Sequence, residues 1–228
     1  MSLKTCSKNQ RVRGDGRAFL NDRESIVFVV DDDPTFRWSA ELLLRMAAYS
    51  VRSFATASEF LSSERADRPA CLVTDLRLPG LSGLDLQDAL VRRGDPIPII
   101  FISGQGDIPS SVRAMKAGAV EFLTKPFKAE EFLRAVANAL EKDRAGREGR
   151  AWILELHTRY ATLTPRERGV MTHVVSGLLN KQVAGMLNTA IKTIKFHRAH
   201  VMEKMKATSL AELVRLAAEL GLLQRNFE

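Results

Sequence analysis

Four short apolar runs in the first half of the chain each stop at a residue that carries chemistry, and this repetition limits the possible folds more than any other feature. Ile26-Val27-Phe28-Val29-Val30 stops at Asp31, Asp32 and Asp33, and Ala70-Cys71-Leu72-Val73-Thr74 stops at Asp75. Ile97-Pro98-Ile99-Ile100-Phe101-Ile102 stops at Ser103, and Ala119-Val120-Glu121-Phe122-Leu123-Thr124 stops at Lys125-Pro126. Runs of this length read as buried strands, and the Pro79-Gly80 turn residues soon after Asp75 mark an exposed strand end. Acids, a hydroxyl and an ammonium therefore gather at strand termini.

Between these runs the spacing becomes helical. Phe36, Ala40, Leu43, Leu44 and Ala47 share one face of a helix expected over 34–48, a fifth strand falls at 50–54, and further helices are expected near 57–65, 83–92, 109–117 and 128–143. Five strands alternating with five helices predict an α/β, doubly wound, five-stranded parallel sheet. In such sheets the ligand crevice lies beyond the carboxyl ends of the strands, where the winding reverses. With strand order 2-1-3-4-5, Asp31, Asp32 and Asp75 meet there. Crowded carboxylates resist ionising together unless a cation neutralises them, and a hard oxygen site suits Mg²⁺. The expected metal set is Asp31, Asp32, Asp75 and the backbone carbonyl of Arg77. Asp33 precedes Pro34 and is read equally as a helix cap. Ser103 and Lys125 line the far wall, and a hydroxyl, an ammonium and a divalent cation around one carboxylate are what a phosphoryl group on it requires. Asp75 is the expected phosphoacceptor.

The net charge of +7 conceals a division. Residues 24–143 hold eighteen acidic against fourteen basic side chains, whereas 161–228 hold ten basic against five acidic, an asymmetry expected where one end meets a polyanion. Residues 1–23 are basic but lack the apolar middle of a secretory signal, and an unstructured tail is expected there. No apolar stretch is long enough to span a bilayer, so no membrane partner is expected. The two cysteines, Cys6 and Cys71, provide no disulfide framework, which points to a reducing, cytoplasmic setting.

Gly146 and Gly149 read as a hinge within a 144–160 linker, through part of which helix could run. Beyond it strand signals vanish, and helices are expected over 165–176, 180–187, 190–205 and 209–220 in an all-α unit covering 161–228. Thr164, Pro165 and Glu167 together signal a helix start. In the stretch from Ala190 to Val201, Ile191, Ile194 and Val201 form an apolar side while Lys192, Lys195, Arg198 and Ala199 project elsewhere. A short helix followed by a basic amphipathic one suggests a helix-turn-helix.

The segments Val-Val-Asp-Asp-Asp, Thr-Asp-Leu-Arg-Leu-Pro, Phe-Ile-Ser-Gly and Thr-Lys-Pro-Phe resemble the receiver domain of two-component response regulators over about residues 24–143. Leu-Thr-Pro-Arg-Glu-Arg, Asn-Lys-Gln-Val-Ala and Thr-Ile-Lys-Phe-His-Arg resemble the LuxR/FixJ-type DNA-binding domain over about 161–225. The resemblance implies that a histidine kinase phosphorylates Asp75, that Ser103 and Phe122 reposition afterwards, and that Lys125-Pro126 is cis. It places Arg77 and Gln105 where members vary and phosphate lifetime is tuned. It also implies a phosphorylation-dependent homodimer acting on promoter DNA, with RNA polymerase as a further partner, and a chain whose only catalysis is its own phosphorylation and dephosphorylation. Lys192, Thr193, Lys195, Phe196, Arg198 and Ala199 are implied on the DNA side, with Lys181 near the backbone. Gly169 and Gly185 depart from the residues usual in the family. The main enzymatic alternative, a haloacid-dehalogenase-type phosphatase, wants a second Asp two residues beyond the nucleophile; Arg77 occupies that place.

Overall fold

The computed structural model describes residues 25–104 and 108–223; the basic tail and Gln105 lie outside them. Two compact units divide at Arg144/Ala145. In the first, strands β1 (Ile26–Val30), β2 (Ser50–Phe54), β3 (Ala70–Asp75), β4 (Ile99–Ser103) and β5 (Glu121–Thr124) alternate with helices α1 (Pro34–Met46), α2 (Ala57–Ser62), α3 (Gly83–Arg92), α4 (Ile108–Lys116) and the start of α5 (Ala129–Ala161). All strand pairs are parallel, in the order β2-β1-β3-β4-β5, as the sequence predicts.

Strand side chains alternate between the two faces of the sheet, and both faces are apolar. Ile26, Phe28, Leu72, Ile99 and Phe101 pack with Phe60, Leu86, Leu90 and Ala114 of α2, α3 and α4. Val27, Val29, Cys71, Val73, Ile100 and Ile102 pack with Ala40 and Leu44 of α1 and with Phe132, Val136, Ala139 and Leu140 of α5. Each fully buried Phe, Leu or Ile contributes about 1.5–3 kcal/mol of transfer free energy, so helices on both faces are required. Caps set the starts of several helices. The Asp33 side chain accepts from Thr35 N–H at α1, with Pro34 at the first position, and Ser82 and Asp85 form a capping box at α3.

The second unit holds the remainder of α5 and α6 (Pro165–Val175), α7 (Asn180–Met186), α8 (Ile191–Lys204) and α9 (Leu210–Glu219). Its core gathers Leu156, Val170, Met171, Val174, Val183, Ile194, Val201, Leu213 and Leu216. Helix runs unbroken through Gly146 and Gly149 and through all of 144–160, where the sequence allows it in part. Each glycine costs roughly 1 kcal/mol against alanine, but Ala145, Arg147, Glu148, Arg150, Ala151, Leu154 and Glu155 are mostly strong helix formers and outweigh it. Ile191 also departs from expectation: Ile194 and Val201 are buried, whereas Ile191, at the first position of α8, is 43% exposed.

Candidate functional site

The register β1–β3–β4 sets the carboxyl ends of three strands side by side, because Val30 is level with Thr74 and Asp75 with Ile102. Asp31 and Asp75 therefore follow or end adjacent strands and share a crevice. Asp31 is buried, with its side chain 1% exposed, and Asp75 is half-buried. Lys125, just past β5, reaches between them: its Nζ donates to Asp31 Oδ2 at 2.8 Å and to Asp75 Oδ2 at 2.9 Å. The cis Lys125–Pro126 peptide lies directly after β5, and Lys125 N–H donates to the Ser103 carbonyl at 2.7 Å. Ser103 itself is buried at the end of β4, beside Thr124.

Electrostatics match this crowding. Burial pushes the Asp31 carboxyl above its ordinary pKa, against the pull of the Lys125 hydrogen bond and the Asp33 amide. Burial works the other way on Lys125, but hydrogen bonds to Asp31 and Asp75 outweigh it and raise the ammonium. One cation thus serves two acids. Asp75 is further fixed by the Arg77 N–H, which donates to its Oδ1 at 2.7 Å, and Asp31 by the Asp33 N–H at 2.9 Å.

Asp31, Asp75 and Lys125 are brought into direct contact, with Ser103 on the neighbouring strand end. Asp32 is exposed beside them, and Asp33 is engaged as the α1 cap. Phe122 is half-buried and packs against the core beneath α3 and α4. Among the described residues no three acidic, histidine or cysteine side chains converge as a ready-made metal cage; Lys125 stands between the two nearest acids. The donors still fit Mg²⁺, which binds through one or two carboxylates and keeps several waters, and the cost of burying Asp31 is a reason for a divalent cation to be welcome there.

Three contributors escaped the sequence reading. Phe36 of α1 lies under Lys125, whose Nζ is 4.0 Å from the ring centroid. Arg37 donates to the Asp31 carbonyl at 2.6 Å. Gly83 abuts Asp75: a Cβ there would stand 2.4 Å from the Asp75 carbonyl oxygen and 3.1 Å from Leu76 Cα. Gly83 registers in the sequence only as the start of a helix; the other two meet partners through tertiary contacts that periodicity does not encode.

In the helical unit, the turn between α7 and α8 passes through Asn188 at φ 47°, a left-handed conformation that asparagine tolerates. Lys181, Lys192, Lys195 and Ala199 are exposed, Thr193 is half-buried, and Phe196 is 58% exposed. Arg198 is half-buried and donates to Asn180 Oδ1 at 3.2 Å, tying α8 to α7. Phe196 rests on His200, with ring centroids 4.2 Å apart. His197, with Arg166, Thr189 and Thr193, lines a small cavity of about 80 Å³ beside the turn.

Beneath this face, buried Glu167 accepts from the Thr164 N–H at 2.8 Å and from Lys204 Nζ at 2.7 Å. Burial opposes its ionisation, but these hydrogen bonds prevail and hold its pKa down to about 2, against 4.5 in the unfolded chain. A carboxyl that gives up its proton more readily when folded stabilises the fold wherever it is charged. Its contribution, roughly 3 kcal/mol, is complete above about pH 4.5 and disappears as pH falls towards 2. Glu167→Gln is expected to lower the unfolding free energy of this unit by about 2–3 kcal/mol at pH 7, with the difference closing by pH 2. Denaturant melts of the full chain followed by circular dichroism across that range measure it.

Comparison with known proteins accounts for both units. Residues 27–137 match the response regulator receiver domain, and residues 161–217 match the bacterial regulatory proteins of the luxR family. Nodulation protein W of Bradyrhizobium diazoefficiens is 49% identical over 95% of each chain. The response regulator protein TodT of Pseudomonas putida is 42% identical over 90% of each. The solved response regulator StyR superposes with a TM-score of 0.78 at 44% identity, covering 86% of this chain and 99% of its own.

Proposed function

The chain belongs to the two-component response regulators that join a receiver domain to a LuxR-type DNA-binding domain, and from that membership we propose that Asp75 is the phosphoacceptor whose modification by a histidine kinase drives dimerisation and promoter binding. The observation that carries this reading is the single ammonium of Lys125 within hydrogen-bonding distance of both Asp31 and Asp75 at the strand ends.

An Asp75 oxygen attacks the phosphorus of a kinase phosphohistidine, the P–N bond breaks, the imidazole leaves, and a mixed anhydride forms. The Arg77 amide fixes the rotamer of the attacking carboxylate. Lys125 then exchanges a carboxylate partner for a phosphoryl oxygen, and the Ser103 hydroxyl turns to donate to another. Asp31, Asp32, Asp75 and the Arg77 carbonyl would hold Mg²⁺, which supplies neutralisation of the phosphoryl charge when bound. Transfer of this kind is mostly positioning and charge stabilisation, and a preformed crevice suffices for it. The phosphate shifts a pre-existing equilibrium by its differential interaction with two receiver states, in which Ser103 and Phe122 move together.

The helical unit then reads DNA through α8. Lys181, Lys192, Thr193, Lys195 and Arg198 supply backbone contacts, and Phe196 and Ala199 reach thymine methyl groups. Residues 24–143 form the receiver, 144–160 the connecting segment and 161–228 the DNA-binding domain of a cytoplasmic regulator. RNA polymerase is a further partner at the promoter.

Incubation of the full chain with acetyl phosphate and Mg²⁺ should add one hydroxylamine-sensitive phosphoryl group per chain, lost when EDTA is present. Size-exclusion chromatography should show the phosphorylated form moving to dimer. Repeated turnover of small phosphate esters, or no stoichiometric adduct, would overturn the reading.

A further inference from the structure

The Lys125 ammonium has a third neighbour besides its two carboxylates. Phe36, half-buried on α1, presents its ring face to Lys125 Nζ at 4.0 Å from the centroid. Phe36 is itself held from behind: it meets Phe127 edge-on at 6.2 Å, and Phe127 stacks on buried Phe132 of α5 at 5.6 Å. The same ring walls an apolar hollow of about 90 Å³ with Ser39, Ala40, Leu43, Phe127 and Phe132. It is therefore braced by aromatic neighbours that border the same hollow.

Resting on the phosphoacceptor reading above, we propose that Phe36 is a positioning residue for aspartyl phosphorylation, holding the Lys125 ammonium over the crevice through its π face while the lysine changes anionic partners. The physical need is specific. Before transfer Lys125 is shared between Asp31 and Asp75; afterwards it has to serve a phosphoryl oxygen. A third carboxylate would compete with that oxygen for the same protons. A ring face attracts the cation without accepting a directed hydrogen bond, so it keeps the ammonium in place and leaves all three N–H groups free to reorient. The carboxylates supply charge, and the ring supplies location.

The test uses the full chain with acetyl phosphate and Mg²⁺, following adduct formation by intact-mass spectrometry and stability by thermal melts. Phe36→Leu removes the π face and should slow phosphorylation about two- to fivefold, the range of a partly exposed cation–π contact. Phe36→Tyr retains the face and should stay near the wild-type rate. In a Lys125→Ala background, Phe36→Leu should cost nothing more, because its partner is gone. Phe36→Met replaces the leucine variant if that protein melts below the assay temperature. Equal slowing in the presence and absence of Lys125, or a tyrosine variant as slow as the leucine one, overturns the proposal. A Phe36→Leu rate equal to wild type overturns it while leaving the phosphoacceptor reading intact. Wild-type protein that takes no phosphate, or an Asp75→Ala variant that still does, overturns both.

Discussion

Asp75→Ala is expected to abolish the hydroxylamine-sensitive adduct completely while leaving the melting curve nearly unchanged. Loss is total because on the proposed reading the substituted group is the nucleophile, and no neighbour replaces it: Asp31 is buried and occupied by Lys125 and the Asp33 amide, and Asp32 lies on the exposed rim. The fold tolerates the change because Lys125 keeps Asp31 as partner, so no buried charge is stranded; a partly solvated ion pair contributes about 1 kcal/mol or less. Couplings between a modification and a distant binding event commonly amount to 1–3 kcal/mol, or about 5- to 150-fold in affinity. Promoter occupancy under kinase-activating conditions should fall by a factor in that range. Genome-wide footprinting of wild type against Asp75→Ala measures it, and occupancy equal in the two strains would mean that the DNA-binding unit acts without regard to phosphate.

The double substitution Lys192→Ala with Lys195→Ala should weaken promoter binding by about 100-fold at physiological salt and flatten the dependence of log affinity on log salt by nearly two, since each phosphate contact contributes about 0.9 to that slope. Both side chains are exposed, and α8 is anchored independently through Ile194, Val201 and Met205, so the helix should remain. Phe196→Ala should behave differently. An apolar contact to a base releases no counterion, so the slope should hold while discrimination at one base pair falls by about 1–3 kcal/mol. Fluorescence anisotropy across a salt series separates the two. A double variant that loses affinity without losing slope would place those lysines away from the DNA backbone.

The sheet order and the placing of Asp31, Asp75, Ser103 and Lys125 at neighbouring strand ends were legible in the sequence because each sits where an apolar run stops. Period and punctuation are local signals, and parallel winding brings the run ends together. Cap chemistry was equally local at Thr164 and Glu167, both visible as a spacing. What could not be read depended on distance or on balance. Phe36 is separated by 89 positions from the lysine it faces, and on its own helix it registers only as an apolar residue. The helicity across Gly146 and Gly149 is a competition between two penalties and their neighbours' preferences, and a glycine pair marks where a break is cheapest, not whether it happens. Arg198 reads in the sequence only as one more cation of the basic helix, and its tie to Asn180 on α7 depends on a distance that spacing does not encode.

The first turn of α3 runs so close to the main chain of Asp75 and Leu76 that position 83 has no room for a Cβ. A side chain there would force apart α3 and the end of β3 that carries Asp75. Residue 83 is accordingly a gauge for distant members of this architecture: a chain that retains the acids but carries a bulkier residue there has had to seat α3 further from the end of β3.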